Sequence, residues 1–324
     1  MIPPQSNLER RLPPPWIGYV LGLGMVLSLA VFFVIRGWEK RDLEKQAAAV
    51  TGEQIEKLRV SMLRSMEVLH SIVSLHAAEG CIERNQFRQF VQQALARQPE
   101  LQALSWNPLV PATRRSELET AARAAGLSGF SFREKNPAGE LVPAAERSEY
   151  VPVYFIEPVE PNAAALGYDL DSDSCRRQSL EQARDTGQPV ASAPLRLAQG
   201  PDNQVGFLVV LPAFFGANPV TVNERRAGLA GFAVAVFRVS DLVGETFRDL
   251  RARGIEVKVF DDSPAGEMIF TNAEEFQKPG GTARLEFANR HWSVVYAPTR
   301  SFIAAQSHLE AWLVLAGGLA FSLL

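Results

Sequence analysis

Between Trp16 and Ile35 the chain reads WIGYVLGLGMVLSLAVFFVI, twenty residues without one charged side chain. As a helix rising ~1.5 Å per residue, this stretch is long enough to cross a hydrocarbon core of ~30 Å. No other segment restricts the fold as strongly, because in lipid a single segment must satisfy its own backbone N–H and C=O groups and only a helix does so. Arg10 and Arg11 precede it, and Arg36, Lys40 and Arg41 follow. A cleaved signal peptide has a shorter apolar region closed by an A-x-A-like site. Neither occurs, so the segment reads as an uncleaved anchor.

Ala311 to Leu324, AWLVLAGGLAFSLL, is again free of charge. It reads as the start of a second span, 309–324, cut partway. The alternative is a short buried helix, against which stand Gly317–Gly318 and the lack of a polar stripe. Basic residues on both sides of the first span leave orientation open. Two spans around one large loop nevertheless put both ends of the chain on one side. The expected topology is residues 1–15 in the cytoplasm, 16–35 across the cytoplasmic (inner) membrane, and 37–308 on its periplasmic face.

The rest of the composition is that of a globular protein, 47% hydrophobic and 21% charged. A formal net charge of -3 offers no electrostatic case for a nucleic-acid partner. Cys81 and Cys175 form no C-x-x-C pair; one bridge and two free thiols both fit.

From Glu39 to Glu79 there is no proline, and Leu43, Val50, Leu58, Met62, Leu69, Ile72 and Val73 recur at spacings of three, four and seven. The pattern predicts a long stalk helix over 36–80. Its seam is imperfect, so a helix lying on its own domain and a dimeric coiled coil both remain open. Asn85 is expected to cap a short helix ended by Pro99. A strand over Leu101 to Val110 follows, then a helix from Pro111 to Gly126. Further strands are expected at 130–134, 150–156, 190–197, 206–215 and 229–236. A helix starts at Ser240 and stops at Gly254, and strands at 255–260, 268–271, 283–288 and 292–296 complete an α+β fold.

Within ALGYDLDSD (165–173) three aspartates stand at alternate positions. A Ca²⁺ loop of this form wants Gly at its sixth position and Glu at its twelfth; Ser174 and Leu180 stand there instead. The second reading is that Asp173 or Ser172 caps the following helix, with Asp169 ending the preceding strand. No other pattern carries catalysis or metal binding. Gly126-Leu-Ser128-Gly129 misses the spacing of a nucleophile elbow, and the four histidines make no metal motif. No kinase or cyclase core is recognisable, no catalytic residue, metal or cofactor is assigned, and any catalysis is expected beyond residue 324.

Three segments read in order are RSEYVPVYFIEP (147–158), ALGYDLDSDSCRRQSLEQARDTGQPVASAPLRL (165–197) and GFLVVLPAFF (206–215). Together with LQALSWNPLVPATRRSELE (101–119) and the strand followed by Val239-Ser-Asp-Leu-Val243, they resemble the CHASE domain over about residues 75 to 250. That family comprises extracytoplasmic sensor modules of receptor histidine kinases and cyclases. The resemblance implies a long stalk helix followed by two PAS-like subdomains, a membrane-distal one at 81–225 and a membrane-proximal one at 226–300, with the ligand in the distal one. Plant members bind cytokinins, which are adenine derivatives. The stretch matching Arg147 to Tyr150 resembles R-D-E-Y there, and Ser148 stands where an acid is expected to meet the adenine edge. The implied ligand is therefore a small molecule, adenine-type or other.

A small-ligand site needs apolar walls and a few converging polar groups. Trp106, Tyr150, Tyr154, Phe207 and Leu211 supply walls if their strands pair, and Ser148, Asp169, Thr186, Ser192 and Arg196 supply polar ends. Core packing is the competing role for each aromatic, and a structural ion pair for Asp169 and Arg196. Gly167 and Gly187 read as backbone geometry. The expected function is a small-ligand sensing module, a homodimer, signalling to a histidine kinase or diguanylate cyclase domain outside this chain. The rival is a membrane-tethered extracytoplasmic enzyme or assembly protein on the same scaffold.

Overall fold

The computed structural model describes residues 15–80, 82–197, 205–216, 219–262, 266–273, 276, 279–306 and 310–323. Cys81 lies outside them, and Cys175 is a free thiol. In chain order the elements are α1 (Pro15–Glu79), α2 (Arg84–Arg97), β1 (Leu101–Pro108), β2 (Val110–Pro111), α3 (Arg115–Ala124), β3 (Arg133–Lys135), β4 (Leu141–Pro143), β5 (Glu149–Tyr150) and β6 (Phe155–Glu157). There follow α4 (Ser174–Thr186), β7 (Val190–Ala191), β8 (Leu195–Arg196), β9 (Val205–Phe214), α5 (Val222–Gly228), β10 (Leu229–Arg238) and α6 (Val239–Ala252). The last are β11 (Ile255–Asp261), β12 (Met268–Thr271), β13 (Gly281–Phe287), β14 (Arg290–Pro298), α7 (Arg300–Gln306) and α8 (Glu310–Leu323). Two compact units result, Met1–Ala49 with Thr299–Leu324, and Val50–Pro298.

In the first unit the apolar part of α1 leaves Tyr19, Leu23 and Phe33 exposed. Among the described residues α1 is the one helix long and apolar enough to cross a membrane. The fourteen residues of α8 reach only about 21 Å. Here α8 lies close to α1. Phe32 and Trp312 have ring centroids 5.2 Å apart, and Gly318 passes so near Ser28 that no side chain fits between them. Small residues permit such approach between helices that have no hydrophobic drive to associate in lipid.

In the second unit α1 buries Ile55, Leu58, Met62, Ser65, Leu69, Ile72 and His76, a stripe at alternating spacings of three and four. This part of the helix therefore lies on its own domain. Ser65 Oγ donates to Gln98 Oε1 at 2.9 Å, and the His76 ring meets Trp106 at 4.4 Å. The large sheet has the order β6-β1-β10-β9-β7, with β8 also pairing to β9. The second sheet has the order β12-β11-β14-β13. Every neighbouring pair in both is antiparallel.

The strands β9 and β10 are almost continuous apolar runs, buried along nearly their whole length, as expected of strands covered on both faces. On one face Leu208, Val210, Phe232, Val234 and Val236 pack under Leu180 and Ala183 of α4. On the other, Phe207 stacks on Phe237 with centroids 4.9 Å apart and meets Trp292 at 5.3 Å and Phe287 at 5.6 Å. This aromatic cluster joins the two sheets. The amphipathic α6 buries Leu242, Val243, Phe247 and Leu250, and Phe247 reaches Phe270 of β12.

Several expectations need correction. The strand expected over 190–197 is two short ones, β7 and β8, and the one expected over 130–134 begins only at Arg133. The start of α2 is at Glu83 rather than Asn85, with the Glu83 N–H donating to Gln86 Oε1 at 3.0 Å. The expected strand over 150–156 is two short pieces, because Val151 and Val153 bond to Asp169, Tyr168 and Gly167 instead of to a sheet neighbour. The division at 225/226 does not follow the sheets, since β10 pairs with both β1 and β9 at the centre of the large one. Trp292→Ala is expected to lower stability by about 3–5 kcal/mol, read from denaturant unfolding followed by far-ultraviolet circular dichroism. A loss under about 1 kcal/mol would mean that the aromatic cluster does not hold the sheets together.

Candidate functional site

Alternation along a strand sends neighbouring side chains to opposite faces of the sheet. On the face covered by α4, Ser105 of β1, Leu208 of β9 and Val234 and Val236 of β10 line a small cavity of about 30 Å³. Tyr168, Leu170 and Arg176 close it from above. The position of Arg176 follows from the way α4 begins and ends. Asp173 Oδ1 accepts the Arg176 N–H at 3.0 Å, and Gly187 ends the helix with φ +71°. Arg176 then shares a helix face with Leu180 and Ala183, the residues that α4 buries on the sheet.

The Arg176 side chain is only 10% exposed. Its guanidinium lies 5.2 Å from the Tyr168 ring centroid, and Nη1 is 3.3 Å from Asp173 Oδ2. Guanidinium carries five N–H donors in a planar fork, so Asp173 engages a part of it. Opposite, Ser105 Oγ accepts from Asn107 Nδ2 at 3.0 Å, and the same amide donates to the Phe232 carbonyl at 3.1 Å. The site is thus a mostly apolar cavity whose lining includes one cation, Arg176, and one hydroxyl-bearing strand residue, Ser105. Its volume matches a water or two, whereas metabolite pockets span ~300–1,000 Å³.

The three aspartates each take a separate role. Asp169, with no exposed surface, accepts from Arg147 Nη1 at 3.1 Å and from the Val151 N–H at 2.8 Å. Arg147 also donates to Glu134 at 2.5 Å. Asp171 faces Arg177 at 3.5 Å, and Asp173 caps α4. Burial pushes the Asp169 and Asp171 carboxyls above their ordinary values. Among the described residues no three His, Cys, Asp or Glu side chains are grouped to hold a metal ion.

The nine residues singled out from the sequence do not converge. Trp106 and Tyr154 line a separate groove on the opposite face of the sheet. Tyr150 is core, its hydroxyl donating to the Ala145 carbonyl and accepting from the Arg147 N–H, each at 3.0 Å. Asp169 is the ion-pair partner of Arg147. Ser148 is exposed, and its carbonyl accepts from the Ala112 N–H. Thr186 donates to the Gln182 carbonyl at the end of α4. Ser192 is buried, its Oγ donating to the Ala193 carbonyl and accepting from the Leu208 N–H. Arg196 is exposed on the short strand β8, which pairs to β9. Phe207, like Leu211 two turns of the pleat along, faces away from the cavity.

Sequence reasoning missed Ser105, Asn107, Tyr168 and Arg176. One signal was present for Arg176, a cation standing at i, i+4 and i+7 with Leu180 and Ala183 on the only apolar stripe of its helix.

The sequence model of a family described as CHASE domain matches residues 80–270. Among curated proteins, hybrid signal transduction histidine kinase A of Dictyostelium discoideum is 26% identical over 320 residues. That match covers 87% of this chain and 15% of the relative. Among solved structures, an extracellular ligand binding receptor from Desulfohalobium retbaense has a TM-score of 0.48 at 11% identity, covering 78% of this chain and 40% of that one. The ligand-binding domain of the Pseudomonas aeruginosa amino acid chemoreceptor PctC, solved with GABA, has a TM-score of 0.45 at 11% identity, covering 78% of this chain and 98% of that one. These structural likenesses are distant, and nothing about the site rests on them.

Because burial raises the Asp169 pKa, the folded chain binds that proton more tightly than the unfolded one. The Asp169 contribution to stability therefore falls as pH rises from the ordinary aspartate value through the raised one. Arg147→Met removes the neutralising partner and is expected to cost about 3–5 kcal/mol at neutral pH. The deficit should shrink in mildly acid buffer, where the carboxyl is protonated. Urea titrations at both pH values measure this, and a deficit independent of pH would contradict it.

Proposed function

The chain belongs to the CHASE-domain family, and from that membership we propose that its globular part is the small-ligand sensing module of a transmembrane receptor. The carrying observation is the cavity beneath α4, where the buried Arg176 and the Ser105 hydroxyl stand in otherwise apolar walls. Apolar surface with a few convergent polar groups is the make-up of a small-molecule site. A guanidinium favours a ligand with a carboxylate or another acceptor edge, which includes small organic acids and adenine-type bases.

Because the cavity holds so little, a metabolite binds only as α4 and the sheet part. The binding free energy then favours the opened arrangement over the closed one. Movement of β1 against the buried stripe of α1 carries that preference along the stalk. The output is a histidine kinase or diguanylate cyclase domain beyond this chain. The curated relative, a hybrid histidine kinase by name, supports that reading over the 15% of its length that the match covers.

The exposed apolar side chains of α1 from Tyr19 to Val34 support anchoring in the cytoplasmic membrane, since water disfavours such a surface. On this reading residues 37–308 are periplasmic and 309–324 begin the second span. Val60 and Leu63, 44% and 51% exposed on α1, support a homodimer along the stalk. Counting β1, β6, β7, β9 and β10 as first to fifth, the large sheet runs 2-1-5-4-3, which supports a PAS-like distal part; the proximal part is the second sheet.

The test is a thermal-shift screen of the detergent-solubilised chain with small carboxylates, amino acids and adenines. A ligand at a hundred times its Kd is expected to raise the melting temperature by roughly 5–10 °C. Arg176→Gln should abolish the rise. A broad panel without any shift, or a shift untouched by Arg176→Gln, would remove the cavity as the sensing site.

A further inference from the structure

On the opposite face of β1 from the cavity lies a groove of about 180 Å³. Adjacent residues divide between the two sites, with Ser105 and Val153 in the cavity and Trp106 and Tyr154 in the groove. Its walls are the rings of His76, Trp106, Tyr154 and Phe215, with Ile82 and Leu118 below. Trp106 and His76 are at least nine-tenths buried, whereas Phe215 is 64% exposed and stands at the mouth. His76 belongs to the last turn of α1. Its ring lies 4.4 Å from Trp106 and 5.9 Å from Phe215, and among the described residues it makes no side-chain hydrogen bond.

The His76 nitrogens are not among the fully buried polar atoms that lack a partner; they open to the groove that the ring lines, where a guest can use the donor or the acceptor of the imidazole. Burial lowers the His76 pKa, so the ring is neutral at neutral pH and offers one nitrogen of each kind. Among the described residues the groove lining contains no acid, and Arg114 at its rim is already paired to Glu117 at 3.2 Å. Nothing there calls for a charged guest. An apolar cavity of about 150 Å³ takes up benzene, so the groove is large enough for a single aromatic ring. Such a ring meets Trp106, Tyr154 and Phe215 in the stacked and edge-on arrangements that aromatic pairs prefer.

We propose that this groove is a second small-molecule site, for an uncharged planar aromatic or heteroaromatic ring whose one polar group hydrogen-bonds to His76. Its occupant touches the end of the stalk helix directly and is separated from the cavity by the thickness of one strand. The site is independent of the cavity reading and stands if that reading falls.

The test uses the full chain in lipid nanodiscs with phenol and toluene, isosteric rings that differ in one hydroxyl, and ligand-observed NMR titration. Phenol should bind saturably and about three- to tenfold more tightly than toluene. His76→Phe should bring the two to equal affinity. Phe215→Ala, at an exposed position that the fold does not need, should weaken both about two- to tenfold. The proposal is overturned if neither ring binds saturably, or if the preference for phenol survives in His76→Phe. It is equally overturned if Arg176→Gln rather than His76→Phe removes that preference, since the probe then sits in the cavity.

Discussion

The pairing of β9 with β10, covered on both faces, is the constraint from which the rest of the second unit follows. Phe207 opposite Phe237 and Val210 opposite Val234 set the register. Every second residue is thereby committed to α4 and every other one to the aromatic cluster with Trp292. A slip of one residue would exchange the two sets, putting phenylalanines under α4 and stripping the contact between the sheets. At Gly231 the backbone of β10 comes so close to β1 that an added Cβ would lie 2.5 Å from the Asn107 carbonyl oxygen. Glycine there lets β1 join the sheet without displacing Asn107, which ties Ser105 to the Phe232 carbonyl.

This two-faced sheet explains why polar groups are so sparse around the cavity and why those present are held in place by neighbours. Ser105 is held by Asn107, and Arg176 by Asp173 and the face of Tyr168. Asp169, by contrast, works in the framework. With Arg147 and Glu134 it fastens β3 and the segment from Val151 to Val153, and Gly167, at φ +77° against the Ser131 carbonyl, lets the chain pass at that point. A buried charge pair adds little net stability, while removing one member is costly.

The periodicity of α1, the turn signals at Gly187 and Gly254 and the apolar strands were readable locally, because each reflects a few neighbouring residues. The cap at Asp173 was readable for the same reason, its side chain acting on a backbone N–H three residues on. The site was not. Phe207 and Leu211 belong to the same kind of apolar run as Leu208 and Val210, and nothing along a strand buried on both sides distinguishes its faces. Ser192 and Thr186 have the right chemistry for a ligand, yet each spends its hydroxyl on nearby backbone. Arg196 and Arg176 are the same residue type twenty positions apart; only Arg176 falls on the buried stripe of a helix.

The sequence by itself determined the apolar span, the long helix, the α+β class and the family, since these depend on composition, spacing and ordered motifs within short windows. The tertiary structure decided which face of α1 is buried, that β10 belongs to the large sheet, and which side chains meet across it. Those outcomes depend on pairing between residues more than a hundred positions apart, as between Trp106 and Ala233. Such partners are chosen by the packing of whole faces against one another, and no local window of the chain contains both.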